Sequence, residues 1–129
     1  MSENVELVRS IYADWERGDY THAGWAHPEI ELGMPDMPDP GRWTGIPAIA
    51  RAWRTWLAQW SEYRPEPETL REVDSTRVLV VIRSFARGKT SGVDVVTRNA
   101  NVFEIRDGKV IRITLCSLER ALADLGVEE

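Results

Sequence analysis

Hydrophobic and polar positions alternate with two different periods along this chain. Near the start, apolar side chains recur every three or four residues from about Ser2 to residue 17, which predicts a helix that Ser2 caps and Gly18 ends. The clearest helical period runs over residues 46–60. Its apolar face comprises Ile46, Ile49, Ala50, Trp53, Trp56, Leu57 and Trp60.

Two shorter segments also have helical character. Asp19 can cap a short helix that runs through Trp25 until the His27-Pro28 pair ends it. Residues 118–125 predict a last short helix, with Gly126 as its stop.

A period of two dominates residues 92–117. Two runs rich in β-branched and aromatic residues flank Asp107-Gly108, which predicts a tight hairpin. One face of the first strand carries Thr97, Asn99 and Asn101 among apolar residues. Because buried amides need hydrogen-bond partners, this face predicts a cavity that holds water or a ligand.

The remaining segments complete an α+β pattern. Residues 29–34 predict a short strand, and the proline-rich residues 34–43 a loop. Residues 68–73 suit an edge strand, whereas residues 77–87 are apolar on both faces and predict a strand covered on both sides. We therefore expect helices packed on one face of a curved sheet.

Composition narrows the classes of function. The 129 residues predict one domain, and the formal net charge of −5 argues against nucleic acid as a partner. No apolar run reaches the length of a membrane span, so no membrane partner is expected. Cys116 is the single cysteine, which favours a reducing, cytoplasmic setting. Six tryptophans suit either a core or the walls of an apolar cavity.

Three segments carry a resemblance to a known family. The opening Glu-Asn-Val-Glu-Leu-Val-Arg-Ser-Ile-Tyr-Ala-Asp-Trp, the segment Ala-His-Pro-Glu-Ile-Glu-Leu at 26–32 and Val-Phe-Glu-Ile-Arg-Asp-Gly-Lys-Val at 102–110 are similar to SnoaL-like domains of the nuclear transport factor 2-like superfamily. The resemblance covers nearly the whole chain as one domain, residues 1–129. It implies a cone in which a strongly curved antiparallel sheet and three main helices enclose one apolar pocket, with a homodimer formed through the sheet's outer face.

The same resemblance implies which side chains reach the pocket. From the helices and the first strand it takes Ile11, Tyr12, Trp15, Trp25, Glu31, Trp56 and Trp60. From the later strands it takes Ile82, Ser84, Thr97, Asn99, Asn101, Val110, Arg112, Thr114 and Cys116.

The best-known catalytic sets of this superfamily are incomplete here. The general-base Asp of ketosteroid isomerases matches Gly33, with Asp36 a few residues on, and their oxyanion-stabilising Asp falls near Asn101. Their helix-one Tyr falls at Ile11, beside Tyr12. The acidic and basic positions of limonene-type epoxide hydrolases hold Ile82, Ser84 and Thr114.

Two functions follow as hypotheses. The first is a cofactor-free acid–base enzyme acting on an apolar polycyclic or terpenoid substrate, with Glu31 as base and Asn101 or Tyr12 stabilising negative charge. The alternative for Glu31 is a structural ion pair with Arg112. The second function is a protein that binds a small apolar molecule without chemistry, and a dimeric interaction module is a third interpretation.

Other chemistry-bearing residues have simpler interpretations. Asp36 and Asp39 reach the pocket mouth only if the loop folds over it and are otherwise solvated acids. Cys116 lacks a histidine partner, so a small buried hydrophobe is favoured over a nucleophile. His22 and His27 are too few and too badly spaced for a metal site, so we expect neither metal nor cofactor.

Overall fold

The computed structural model describes residues 2–20, 23–36 and 41–129 as helices and strands in the order expected for an α+β protein. The helices are α1 (Glu3–Glu16), α2 (Ile46–Leu57) and α3 (Leu118–Leu125). The strands are β1 (Ala26–Met34), β2 (Gly41–Thr44), β3 (Trp60–Glu72), β4 (Arg77–Gly88), β5 (Asp94–Arg106) and β6 (Lys109–Cys116). None of these helices is long and apolar enough to cross a membrane.

The six strands form one sheet in the order β2-β1-β6-β5-β4-β3. Four neighbouring pairs are antiparallel, but β1 and β6 run parallel, so the sheet is mixed rather than wholly antiparallel. Along the chain, β2, α2, β3, β4 and β5 separate β1 from β6, so this parallel pair is joined by a long crossover connection. The α+β class is confirmed, with this correction to the direction of one strand pair.

Local signals account for the elements at both ends of the chain. The Ser2 hydroxyl accepts a hydrogen bond from the Val5 N–H at the start of α1, as the sequence predicts. Asp107 and Gly108 both have positive φ, 52° and 75°, which is the geometry of the tight hairpin between β5 and β6. Gly126 ends α3 in the left-handed conformation.

Several predicted boundaries differ from the structure. Among the described residues between Asp19 and Trp25 there is no helix. Residues 41–43, expected in a loop, pair with β1 together with Thr44 as the short edge strand β2. The last helical residue of α2 is Leu57, so Trp60 begins β3 instead of extending the helix. β3 is long and contains Pro65 and Pro67, and its place at the sheet edge explains why these prolines are tolerated.

The helices lie on both faces of the sheet, which corrects the expectation that all pack on one. The main core joins α1 and the edge of α2 to alternate residues of β4, such as Val78, Val80 and Ile82. A second cluster joins Ala121 of α3 to Leu79, on the opposite face of β4. We call the face that packs against α1 and α2 the inner face, and the face that carries α3 the outer face.

Candidate functional site: an aromatic-walled cavity

A cavity of about 390 Å³ lies between the inner face of the sheet, α2 and the end of α1. Its helix and loop walls are Trp15, Tyr20, Ala23, Trp25, Ile46, Ile49, Ala50, Trp53 and Trp56. Its strand walls are Ala26, Ile30, Leu32, Met34, Tyr63, Pro65, Ile82, Ser84, Asn99, Asn101, Ile113, Leu115 and Cys116. Asp36 and Ser117 complete the lining.

Aromatic rings pack against one another in T-shaped and tilted contacts along the helix side of the cavity. Trp53 of α2 lies 5.9 Å from Trp15 and 6.0 Å from Tyr63, measured between ring centroids. Trp56, one turn further along α2, lies 6.3 Å from the same Tyr63 ring. Such contacts are each worth about 0.5–1.5 kcal/mol beyond the area they bury, so this wall is held together before any ligand enters.

A buried hydrogen bond lies at the deep end of the cavity. The Asn101 Nδ2 atom donates to the Tyr12 Oη atom of α1 at 2.5 Å. Asn101 is 8% exposed and Tyr12 is 1% exposed, and only Asn101 lines the cavity. Burial raises the pKa of Tyr12 far above its ordinary value, so the phenol stays protonated at any physiological pH.

Tyr63 of β3, Ser84 of β4 and Trp56 of α2 form a second polar group on the lining. Ser84 and Trp56 act to lower the pKa of Tyr63, but burial outweighs them and raises it, because a phenolate there would be desolvated. Asn99 lies nearer the mouth, where it is exposed to solvent.

Asp36 places a carboxylate at the mouth. Its Oδ2 atom accepts from the Ser117 N–H at 2.7 Å, and its Oδ1 atom accepts from Arg120 at 3.1 Å. The Ser117 bond is the largest of the effects that hold the pKa of Asp36 below its usual value. The carboxylate is therefore ionised at neutral pH and fastens the end of β1 to the start of α3.

Cys116 lines the same end of the cavity as an unreactive thiol. It is buried against Leu79, Ala100 and Ala121 on the outer face. Burial, with a smaller contribution from the Asp36 carboxylate, raises the pKa of the Cys116 thiol to about 11. A thiol that is protonated at neutral pH is a weak nucleophile.

Glu31 does not line the cavity, which corrects its predicted placement. Ile30 and Leu32 of β1 face the cavity, so the intervening Glu31 faces the opposite side of the strand. There it accepts two hydrogen bonds from the Arg112 guanidinium, at 3.0 and 2.8 Å, and these lower its pKa. Arg112 also pairs with Glu104 at 3.2 Å. The structural ion pair, the alternative interpretation of Glu31, describes this arrangement.

A β-bulge explains why Arg112 and Thr114 also lie outside the cavity. Ile105 of β5 pairs with Val110, but the preceding Glu104 pairs with Arg112, so one extra residue of β6 is inserted between the two pairs. Beyond the bulge, the residues that face the cavity are Ile113 and Leu115. Val110 is itself buried in the main core. Simple alternation from Val110 would predict that Arg112 and Thr114 face the cavity.

Three other predicted lining residues lie outside the cavity for separate reasons. Ile11 is 1% exposed in the main core. Trp60 starts β3 and packs against Trp56 at 5.3 Å between ring centroids. Thr97 is exposed on β5, beyond the part of the strand that the helices cover.

The remaining predicted lining residues all line this cavity. They are Trp15, Trp25, Trp56, Ile82, Ser84, Asn99, Asn101 and Cys116. Asp36 is at the mouth, where the sequence left two possibilities open, and Asp39 and His22 lie outside the described residues.

Family membership follows from sequence comparison. A family model described as a SnoaL-like domain matches residues 8–113, which is most of the chain. The chain belongs to this family. Among curated proteins, none matches it.

Solved structures agree with a nuclear transport factor 2-like fold for this SnoaL-like domain. An NTF2-like protein of unknown function from Burkholderia pseudomallei K96243 is 18% identical with a TM-score of 0.81, covering 97% of this chain and 98% of that one. TerC, co-crystallised with polyporic acid, is 21% identical with a TM-score of 0.78, covering 96% and 98%. A candidate SnoaL-like polyketide cyclase from Jannaschia sp. CCS1 is 15% identical with a TM-score of 0.78, covering 95% and 90%. At identities this low, the likeness establishes the fold alone.

Some lining residues of this SnoaL-like domain had a sequence signal and others had none. Trp53 shares the apolar helical face with Trp56, so the period of α2 already indicated it. Tyr63 lies in a segment whose strand character the neighbouring prolines hide. Tyr20 follows α1 in an irregular segment, where no periodicity indicates which way a side chain points.

Proposed function

We propose that this SnoaL-like domain binds a flat, largely apolar small molecule, of polycyclic or terpenoid type, in the cavity between α2 and the sheet. The observation that supports it is one cavity whose walls are mostly aromatic and aliphatic, with Asn99, Asn101 and Ser84 contributing hydrogen-bonding groups. Ligand sites combine apolar walls with a few placed polar groups in this way. TerC, a protein of similar fold, was co-crystallised with polyporic acid, which also supports a small organic ligand.

The Asn101–Tyr12 pair gives the ligand an oriented polar contact. Because one amide N–H of Asn101 is used by Tyr12, the rest of the amide is available to the cavity. A ligand hydroxyl or carbonyl bonded there would be shielded from water. Hydrogen bonds are electrostatically stronger in such an interior than in water. We therefore assign ligand orientation to Asn101 and support of its amide to Tyr12.

A cavity-filling variant tests this proposal. Ala50→Phe places a ring where Ala50 of α2 lines the cavity, and Ala58→Phe makes the same change at the exposed C-cap of that helix. Titration of polycyclic and terpenoid compounds, followed by tryptophan fluorescence, should show binding to the parent and to Ala58→Phe. Ala50→Phe should weaken binding by more than about tenfold, or roughly 1.4 kcal/mol. Equal binding by both variants would contradict the cavity as the site.

Acid–base catalysis in the same cavity is our second candidate function. It is favoured by the position of Asp36, the one carboxylate on the lining within the described residues. An ionised Asp36 would accept a proton from the substrate, while Asn101 donates a hydrogen bond to the developing oxyanion. Against it, the Ser117 and Arg120 hydrogen bonds make Asp36 a weak base.

The Asp36→Asn variant separates catalysis from binding. If the cavity is catalytic, this variant should still bind a compound that the parent protein converts, but it should form the product at least about tenfold more slowly than the parent. Mass spectrometry of the compounds recovered after incubation measures product directly. If the compounds that bind to the parent protein are recovered unchanged, the function is binding alone.

We also propose that two copies of the chain associate through the part of the outer face that α3 leaves open. There Val96 is 56% exposed beside its strand partner Phe85. The Arg64 guanidinium lies 4.8 Å from the centre of the Phe85 ring. An apolar centre with a charged border is the usual anatomy of a protein interface.

A further inference from the structure

Two amides of β5 form a row that descends into the cavity. Asn99 lies at the exposed mouth and Asn101 at the buried end, two residues further along the same face of the strand. We call these two residues the β5 polar stripe. Two residues of a strand span about 6.8 Å, which is therefore the approximate spacing of the two amides.

The neighbours of the stripe within the sheet cannot satisfy it. Across the strand pairs, Asn99 faces Ile82, while Asn101 faces Val80 on one side and Leu115 on the other. Asn101 has Tyr12 as a partner, but the Asn99 side chain has no hydrogen-bond partner among the described residues. Within the sheet, the two amides of the stripe are therefore flanked by apolar side chains.

The opposite wall of the cavity has a different character. The α2 residues on the lining are Ile46, Ile49, Ala50, Trp53 and Trp56. This wall offers broad apolar and aromatic surface, whereas the stripe offers hydrogen bonds along one line. The stripe would therefore form hydrogen bonds with the edge of a flat molecule, while the α2 wall would contact its face.

We infer that the β5 polar stripe selects planar ligands that carry two oxygen groups on one long edge, about 7 Å apart. One hydroxyl or carbonyl bonds to Asn101 at depth and the other to Asn99 at the mouth. The rest of the molecule contacts the aromatic wall. This inference rests on the proposed function, because it assumes that the cavity binds a small molecule.

Two isomers test the inference with identical composition. In 2,7-dihydroxynaphthalene both hydroxyls lie on one long edge at about the spacing of the stripe, whereas in 2,6-dihydroxynaphthalene they lie on opposite edges. The first isomer can bond to both amides at once and the second to only one. Isothermal titration calorimetry should give the 2,7 isomer a Kd about three- to tenfold lower, the value of one additional hydrogen bond.

Variants on the same strand assign the difference to the stripe. Asn99→Val should make the two isomers bind equally, and β-branched valine suits an exposed strand position. Thr97→Val is the matched control, since Thr97 is on the same face of β5 but outside the cavity, and it should preserve the difference between the isomers.

The outcomes separate this inference from the proposed function. Equal binding of both isomers to the parent, persistence of the difference in Asn99→Val, or failure of both to bind would each overturn the selection by the stripe. If both bind equally and Ala50→Phe abolishes both, the cavity still binds ligands and only the edge selection fails. If Ala50→Phe leaves the binding of both isomers intact, the cavity proposal itself fails.

Discussion

The Asn101–Tyr12 hydrogen bond shows how this domain keeps polar groups inside an apolar interior. Leaving either group buried without a partner would cost about 1–3 kcal/mol, so the pair is stable only as a unit. Burial keeps the Tyr12 phenol neutral, because desolvation of a phenolate there outweighs the Asn101 hydrogen bond, which by itself lowers the pKa of Tyr12. The raised pKa of Tyr12 is the consequence of that burial.

At the residue scale, we predict that tyrosine ionisation is delayed in the folded protein. The chain has three tyrosines, and burial raises the pKa of all of them above 10, to about 12 for Tyr20. Because the folded pKa exceeds the unfolded one, this burial stabilises the protein below about pH 10 and the stabilisation is lost as the pH rises further. Spectrophotometric titration should show little tyrosinate absorbance at pH 10.

Circular dichroism recorded on the same samples provides the control. Tyrosinate should develop together with loss of the native spectrum at higher pH. Full ionisation of any tyrosine near pH 10 in a protein that is still folded would contradict the burial described here.

Single elements place side chains by small departures from regular geometry. The bulge in β6 inserts one residue opposite Glu104 and Ile105 and so reverses which residues face the cavity beyond it. The turn between β3 and β4 is built differently, around one carboxylate. Asp74 Oδ1 accepts from the N–H groups of Thr76 and Arg77 at 3.0 and 2.9 Å.

At the element scale, we predict that this turn depends on the charge of Asp74. The Arg77 side chain and the turn N–H groups lower the pKa of Asp74 to about 2, from an ordinary value of 3.8. A lowered pKa means that the stabilisation is present above about pH 4 and is lost as the pH falls toward 2. Asp74→Ala should therefore lower the urea midpoint of unfolding at pH 7, and the gap to the parent should narrow as the pH approaches 2.

The neighbouring substitution Ser75→Ala is the control for the turn. Ser75 is exposed. Among the described residues, its one hydrogen bond with a side chain is the bond that its backbone carbonyl accepts from Asn4. Its unfolding midpoint should follow the parent at each pH. A gap between Asp74→Ala and the parent that stays constant with pH would show that the carboxylate charge is not what stabilises the turn.

At the scale of the whole molecule, the sheet divides two roles between its faces. The inner face and α2 form the cavity, while α3 covers one part of the outer face through Ala121. Ion pairs cover more of that face, including Arg98 with Glu68 at 2.9 Å. Among the residues that the structure describes, the apolar surface around Phe85 and Val96 stays open.

We predict that Val96→Glu disrupts association of two chains. A buried carboxylate without a partner is costly to desolvate, so the variant should sediment as a monomer at concentrations where the parent is a dimer. Val95→Glu is the control, because Val95 is 37% exposed on the other face of the same strand. A parent protein that sediments as a monomer would overturn the proposed dimer.

The sequence alone determined the elements whose signals are local. The Ser2 cap, the period of α1 and the Asp107-Gly108 turn each depend on residues that are close along the chain, so those predictions match the structure. The family resemblance supplied the fold class in the same way, since it rests on continuous segments such as 102–110.

Only the tertiary structure decided which side chains share the cavity. Arg112 and Thr114 alternate as any strand residues do, and nothing in their own sequence reveals the bulge that turns them outward. Likewise, the sequence left Glu31 either in the cavity or paired with Arg112, 81 residues away along the chain, and the pairing of β1 with β6 decides for the ion pair. The face on which a strand residue lies depends on pairing with distant strands, and that pairing exists only once the sheet has formed.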